Sequence, residues 1–308
     1  MIVFRKPNAF NVLFALRGSI VPRIYRQVLL ITLISTLIAA VQHWVPSSFS
    51  SYGAAPFTLL GIALSLFLGF RNNASYQRWW EARTLLGQLV YESRSLTRQV
   101  TSFIDEKAVG AKETQRRMVY LNIAFAHAMR YRFRNSSPWA EVEAYIAPEH
   151  HESMRRAGNL PEYILRLLGQ ELGHCRRESL TSDLMIQNMD NRVSSLTVVL
   201  SACERIHNTP LPFAYTLLVH RTTYLYCFLL PFGLATSLGW VTPLVCGIIA
   251  YTFFGLDALN EEITDPFGEE PNHLPLTTIT RAIEINLLEA LGETDLPPQI
   301  TPDNGYLP

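Results

Sequence analysis

Residues 57–83 read FTLLGIALSLFLGFRNNASYQRWWEAR, and this stretch decides the fold. Nothing between Phe57 and Phe70 is charged, and Arg71 is the first ionic side chain. No proline interrupts the stretch, so a helix that begins in the apolar part can continue into the polar part. An apolar stripe at helical spacing then continues to about Asp105. The pattern predicts one long helix that leaves a membrane and continues into a cytosolic domain.

The distribution of apolar residues along the 308-residue chain indicates an all-α membrane protein. Apolar residues make up 48% of the chain and are concentrated in two regions, which are separated by a polar, helical one. The first segment approaches the roughly 20 residues that are needed to cross a hydrocarbon core. We expect four transmembrane helices per subunit, at 28–45, 57–70, 222–238 and 241–256. The alternative is that the shorter segments are buried helices of a soluble domain.

The positions of charged residues predict the orientation of these segments. The chain before the first segment carries arginine and lysine but no acid, and the loops at 46–56 and 239–243 carry no charge. Because cationic residues stay on the cytosolic side of a membrane, we place 1–27, the helical domain 71–221 and the tail 257–308 in the cytosol. Both termini are then cytosolic, and we expect an extended tail that wraps a neighbour or is partly disordered. The formal net charge is zero, so nothing indicates a nucleic-acid partner.

Three bulky apolar residues share one face of the second segment. Ile62, Leu66 and Phe70 follow one another at intervals of four residues, and Asn73 and Gln77 continue the same face. If several copies surround an axis, the apolar side chains form stacked rings, and such rings gate conduction by dewetting. The polar, uncharged pair is what a water-filled vestibule would present. A stripe that faces lipid or a protein core has the same spacing, so the residues alone leave these alternatives open.

Three blocks of the sequence resemble signatures of the bestrophin family. They are RNNASYQRWWEAR at 71–83, ACERIHNTPLPFAYTLLVHRTTYLYCFLLPFG at 202–233 and EEITDPFGEEPNHLPL at 261–276. The similarity extends from about residue 5 to about residue 280 and is most evident to bacterial members. It implies a homopentameric ion channel in which four transmembrane helices per subunit continue into a helical cytosolic region around one axial pore.

The resemblance also implies two constrictions of that pore. The apolar neck would lie at Ile62, Leu66 and Phe70, where Leu66 departs from the more frequent Ile or Phe but keeps the bulk. The cytosolic aperture would be formed by Leu180 or Leu184, although either is also compatible with an ordinary core leucine. The likeness to bacterial members favours passage of monovalent cations, Na⁺ and K⁺. An anion (chloride) channel of the same architecture, or a non-conducting membrane scaffold, remains an alternative.

Other expectations concern cofactors, partners and location. Eukaryotic relatives are activated by calcium through consecutive acids, whereas the acids of 261–270 are interrupted by Pro266, Phe267 and Gly268. We therefore expect no calcium activation. The chain has no catalytic or metal-binding motif, so we expect neither an enzyme nor a cofactor, and the four cysteines are interpreted as reduced packing residues. The expected partners are further copies of the chain, membrane lipid and monovalent ions, in the inner membrane of a bacterium.

Overall fold

The computed structural model describes residues 1–2, 18–46, 55–105, 107–134, 136–137, 139–303 and 305–308. This part of the chain is almost entirely helical, and its only β-pairing consists of isolated bridges near the two ends. Most of the N-terminal segment 1–27 and of the uncharged loop 46–56 lies outside the described residues.

The helices follow one another with short connections. They are α1 (Val21–Trp44), α2 (Ala55–Phe103), α3 (Ala111–Arg134), α4 (Trp139–Val142), α5 (His151–Arg155), α6 (Leu160–Arg177), α7 (Asp183–Asn208), α8 (Phe213–Leu238), α9 (Thr242–Thr264) and α10 (Leu276–Ala290). Short 3₁₀ helices lie at Glu143–Tyr145, Pro148–His150 and Gly239–Val241.

Helix α2 is one continuous element of 49 residues, which confirms the long helix predicted from its sequence. At 1.5 Å per residue its length is roughly 70 Å, more than twice the thickness of a hydrocarbon core. A helix of this length can cross such a core and extend well beyond it. That it leaves a membrane where its apolar part ends stays a prediction.

The chain divides into two compact units, with the boundary inside α2 between Trp79 and Trp80. One unit comprises Phe4–Trp79 and Pro210–Pro266, and we call it the apolar unit. The other comprises Met1–Val3, Trp80–Thr209 and Phe267–Pro308, and we call it the polar unit.

The apolar unit is built from α1, the first part of α2, α8 and α9. Helix α1 packs against both α8 and α9. The core contains one cluster of buried residues: Ile24, Ile31, Leu64, Tyr226, Cys227, Leu230, Cys246, Ala250 and Phe254. Gly61 and Gly233 allow α2 and α8 to approach closely. A Cβ at Gly61 would lie 2.6 Å from the Tyr226 hydroxyl, and one at Gly233 would clash with the Phe57 ring.

The polar unit surrounds α3, whose residues are buried on nearly every face between Met118 and Met129. Helices α6 and α10 pack against α3, and α7 packs against α6. The Asn159 side chain accepts from the Glu162 N–H at the start of α6, and Ser182 does the same for Met185 at the start of α7. These caps explain where the two helices begin.

The C-terminal region differs from the extended tail that we predicted for 257–308. Residues Leu276–Ala290 form α10, and Leu276, Ile283, Leu287 and Leu288 are buried. Gly292, with φ of 79°, follows the end of the helix, and the chain is irregular from there. The Pro308 carbonyl accepts from the Thr278 N–H at 3.1 Å, so the end of the chain returns to α10.

Candidate pore-lining face and its supports

The predicted neck residues lie on an exposed face of α2. In the single chain, the side chains of Ile62, Leu66 and Phe70 are 63%, 55% and 59% exposed. Leu64 and Leu68, which lie between them in sequence, are buried in the apolar unit at 2% and 0% exposure. The first part of α2 therefore has one face buried in the apolar unit and another that presents bulky apolar groups outward.

An exposed row of large apolar side chains indicates a surface that contacts something other than water. Lipid, another copy of the chain and a dewetted pore all fit such a surface. Leu59, which is 70% exposed, lies one turn before Ile62 on the same face and extends the row. Our sequence reasoning missed it, although its position three residues before Ile62 was a visible signal. Asn73 and Gln77 continue the face and are exposed.

A buried polar cluster fixes α2 just beyond this row. The Arg71 guanidinium donates to the Asp257 carboxylate of α9, and both side chains are buried. The second carboxylate oxygen of Asp257 lies 2.6 Å from Nδ1 of His220 on α8. Arg78 adds a hydrogen bond of 2.8 Å from Nε to the Thr264 carbonyl. Three helices are thereby joined at the level of α2 where its apolar segment ends.

The acids nearest in sequence do not hold Arg71. Glu81 and Glu92 are the first two acids that follow the apolar segment, so by sequence they are the nearest candidate partners for its arginines. In the structure Glu81 pairs with Arg205, and Glu92 accepts from Arg192 at 3.1 Å. Asp257 holds Arg71 instead. The sequence did carry a signal for this pairing. Asp257 lies one residue beyond the predicted fourth segment, and a carboxylate at the end of an apolar helix must find a partner.

The structure separates the two leucines proposed for the cytosolic aperture. Leu180 is 3% exposed and its carbonyl accepts from the Asp105 N–H at 2.9 Å, so it belongs to the packing of the polar unit. Leu184 is 62% exposed on the first turn of α7. Leu180 lies in the connection between α6 and α7, one residue after Ser179, whose φ of 54° makes the turn there. Of the pair, only Leu184 has the exposure that a pore-lining residue needs.

The acids after α9 have structural partners. Glu262 is buried and lies 4.0 Å from Arg23, and Glu269 lies 3.9 Å from Arg134. Among the described residues, no group of three or more His, Cys, Asp or Glu side chains is arranged to hold a metal ion. All four cysteines are buried free thiols, as we expected.

Three stretches of the described chain are long and apolar enough to cross a membrane: Val21–Trp44, Ala55–Phe103 and Phe213–Thr264. The last of them contains α8 and α9, joined by the 3₁₀ turn Gly239–Val241. With an exposed apolar face and a buried ion-pair cluster at its end, the fold is that of a helical membrane protein.

Comparison with known proteins identifies the family. The profile of the bacterial/fungal bestrophin proteins matches residues 1–289, and the chain belongs to this family. A voltage-dependent anion channel-forming protein of Mesorhizobium japonicum is 43% identical over 98% of this chain and 95% of its own length. The voltage-dependent anion channel-forming protein YneE of Escherichia coli is 41% identical over 99% of both chains.

A solved structure of similar fold supports the same assignment. A bacterial bestrophin homologue from Klebsiella pneumoniae superposes with a TM-score of 0.83 at 38% identity, over 88% of this chain and 99% of that one. The family resemblance drawn from the three sequence blocks is confirmed. The names of the relatives agree with a channel rather than an enzyme.

Proposed function

We propose that this protein is an ion channel, formed by five copies of the chain around one axial pore. The main support for this proposal is the exposed row of Ile62, Leu66 and Phe70 on α2. In an assembly with α2 nearest the axis, each residue contributes to one apolar ring. Such rings let water and ions pass only when the neck is wide enough to stay wet. The number five comes from the family resemblance.

The supports of α2 suit this role. A neck needs side chains held at a constant distance from the axis. On the face opposite the row, Gly61 lies against Tyr226 of α8, Leu64 belongs to the core cluster of the apolar unit, and Leu68 is buried. The Arg71–Asp257 pair fixes the helix where the row ends. Asn73 and Gln77 then line a wider, uncharged vestibule, and Leu184 forms the aperture at its cytosolic end.

The proposed selectivity differs from our expectation of Na⁺ and K⁺ passage. Both curated relatives described above are named as anion channel-forming proteins, which favours anions over cations. The residues of the proposed neck and vestibule are uncharged, so nothing on this face of α2 favours a cation. We therefore propose conduction of monovalent anions such as chloride.

The proposed topology places α1, the first part of α2, α8 and α9 across the bacterial inner membrane as four spans. An even number of crossings puts both termini on one side, and the arginine-rich start of the chain makes that side the cytosol. The polar unit is then cytosolic. Membrane lipid and further copies of the chain cover the exposed apolar residues of the spans.

Reversal-potential measurements on purified protein in planar bilayers test this function. With a NaCl gradient across the bilayer, we expect single-channel currents that reverse near the Cl⁻ equilibrium potential. Reversal near the Na⁺ equilibrium potential would support a channel but would show that it selects cations. An absence of current from protein shown by native mass spectrometry to be oligomeric would favour a non-conducting scaffold.

A further inference from the structure

One face of α3 packs against the C-terminal part of the polar unit. Tyr120, His127 and Arg134 follow one another at intervals of seven residues, so they lie along the same side of the helix. Each contacts the C-terminal region, and the contacts run antiparallel: Tyr120 donates to Glu293 at 2.6 Å, His127 Nε2 lies 3.3 Å from Glu284, and Arg134 donates to Thr277 at 2.6 Å. Helix α10 is thus held by polar contacts as well as by its apolar residues.

The middle contact involves a fully buried histidine. The His127 side chain is 0% exposed, and both of its ring nitrogens face carboxylates. Nδ1 lies 3.2 Å from Glu141 on α4, and Nε2 lies 3.3 Å from Glu284 on α10. A neutral imidazole carries a proton on one nitrogen only. Its other nitrogen would carry no proton and would lie within 3.3 Å of a carboxylate oxygen, so these distances suit the imidazolium form.

The other charged groups around His127 come from three elements. Arg130, one turn further along α3, pairs with Glu141. On α10, Arg281 lies 3.0 Å from Glu284. From the 3₁₀ helix Glu143–Tyr145, Tyr145 donates to Glu284 at 2.6 Å, and its ring stacks on the imidazole at a centroid distance of 6.2 Å. Tyr131 interacts with Glu141 from α3.

These groups set the pKa of His127 in opposite directions. Burial lowers it, and Arg130 lowers it further, but the contacts with Glu141 and Glu284 outweigh both, so the pKa of His127 is raised above 6.5. The same contacts hold the pKa of Glu141 at about 2. Burial raises the pKa of Glu284, but its contacts with His127 and Tyr145 outweigh this and leave that pKa below 4.5. Both carboxylates are therefore ionised in the pH range in which the imidazole loses its proton.

We propose that His127 is a proton-dependent clasp, which in its protonated form bridges Glu141 and Glu284 and so holds α10 against α3. Loss of that proton leaves the two carboxylates facing a neutral ring, and α10 loosens. The device lies within the polar unit and does not depend on whether the protein conducts ions.

The sign of the pH effect follows from proton linkage. The raised pKa of folded His127 means that the closed form binds its proton more tightly than a form in which α10 has opened. The stabilisation is complete below the ordinary histidine value and is lost as the pH rises through the raised value. Within that window, the opening equilibrium of α10 increases by up to about tenfold per pH unit.

Hydrogen-exchange mass spectrometry on the full-length protein in detergent tests the clasp. Exchange of peptides within 276–290 is followed from pH 6 to pH 9 and corrected for the intrinsic pH dependence of exchange. We expect protection of α10 to fall with rising pH in the wild type. In His127→Gln we expect weaker protection without this pH dependence. Peptides from α7 provide an internal reference.

A second histidine supplies a matched control. His151 is partly buried, and its Nε2 lies 2.8 Å from the Ile146 carbonyl rather than from a carboxylate. His151→Gln should keep the pH profile of the wild type. If His127→Gln also keeps that profile, the clasp is refuted.

A second variant, at Glu284, tests the proposal if the His127→Gln protein does not fold. Glu284→Gln removes one carboxylate from the imidazole and so lowers its pKa. We expect the pH midpoint of α10 loosening to move to lower pH. An unchanged midpoint in a folded Glu284→Gln protein would overturn the proposal.

Discussion

Arg71 and Asp257 form an ion pair that joins α2 to α9, with both side chains almost completely buried in the apolar unit. The pair lies where the apolar segment of α2 ends, and His220 shares the same carboxylate. A charge withdrawn from water in this way is tolerated only with its partner present, because desolvation of an unpaired ion is costly. Asp257 is therefore a structural requirement of the helix that carries the proposed neck.

Replacement of Asp257 by Asn should destabilise the protein strongly. The amide keeps the size of the side chain but removes the charge that compensates Arg71, and breaking a buried pair in this way costs about 3–5 kcal/mol. The melting temperature in detergent measures the loss. Asp183→Asn is the control, since Asp183 and Arg176 lie 3.3 Å apart with side chains 79% and 72% exposed. That variant should change stability by less than about 1 kcal/mol. Equal melting temperatures for both variants would contradict the importance of the buried pair.

The thiols of the polar unit should be unreactive while the protein is folded. Burial raises the pKa of Cys175 to about 11 and that of Cys203 to about 12, so almost no thiolate is present at neutral pH. We expect slow maleimide labelling of the native protein at pH 7 and labelling of all four cysteines after denaturation. Mass spectrometry of the labelled peptides measures both. Rapid modification of Cys203 in the native state would show that α7 opens far more readily than its packing indicates.

The polar unit should lose stability in acid through Glu141. Contact with His127 is the main cause that lowers the pKa of Glu141 from 4.5 to about 2, with Tyr131 and Arg130 contributing. A lowered pKa in the folded state contributes stability above the ordinary value, and this contribution is lost as the pH falls from 4.5 towards 2. Glu141→Gln should therefore show a smaller drop in melting temperature between pH 6 and pH 3 than the wild type.

Glu152→Gln, in an exposed pair with Arg156, should behave like the wild type. A drop in Glu141→Gln as large as that of the wild type would contradict the assignment.

Local patterns predicted much of this fold. The continuous α2 follows from helical periodicity and from the absence of proline, and the turn between α8 and α9 follows from the break between two apolar segments; both are present. Helix α10 was missed, although Leu276, Ile283 and Leu287 have helical spacing, because the acids and prolines around them suggested an extended tail.

The partners of buried charges could not be predicted from the sequence. Arg71 requires an acid, but whether it is Glu81 or Asp257 depends on which helices become neighbours, and that is a tertiary property. The same holds for His127, whose two carboxylates come from α4 and α10. The family resemblance likewise left Leu180 and Leu184 as two candidates for the aperture. Only the fold shows that one is buried and the other exposed.

Alanine substitutions in the exposed row of α2 test the proposed neck. Ile62→Ala, Leu66→Ala and Phe70→Ala each remove bulk from one ring, so a wider and more easily wetted neck should increase single-channel conductance. Because these side chains are exposed in the single chain, stability should change little unless neighbouring copies pack against them. Leu33→Ala on α1 is the control, since Leu33 is an exposed apolar residue of a different helix and should leave conductance unchanged. If all three neck variants assemble and conduct like the wild type, the neck assignment is refuted.

Leu180 and Leu184 should give opposite results when each is replaced by alanine. Leu180 is buried in the polar unit, so Leu180→Ala creates a cavity and costs about 2–5 kcal/mol of stability. Leu184 is exposed at the start of α7, and Leu184→Ala should leave the melting temperature nearly unchanged while it alters conductance or its dependence on ion size. Each variant is the control of the other, because both remove the same side-chain volume. If Leu184→Ala lowers the melting temperature and leaves the currents of the wild type intact, its exposed face is a packing surface between copies, and the aperture must be formed by another residue.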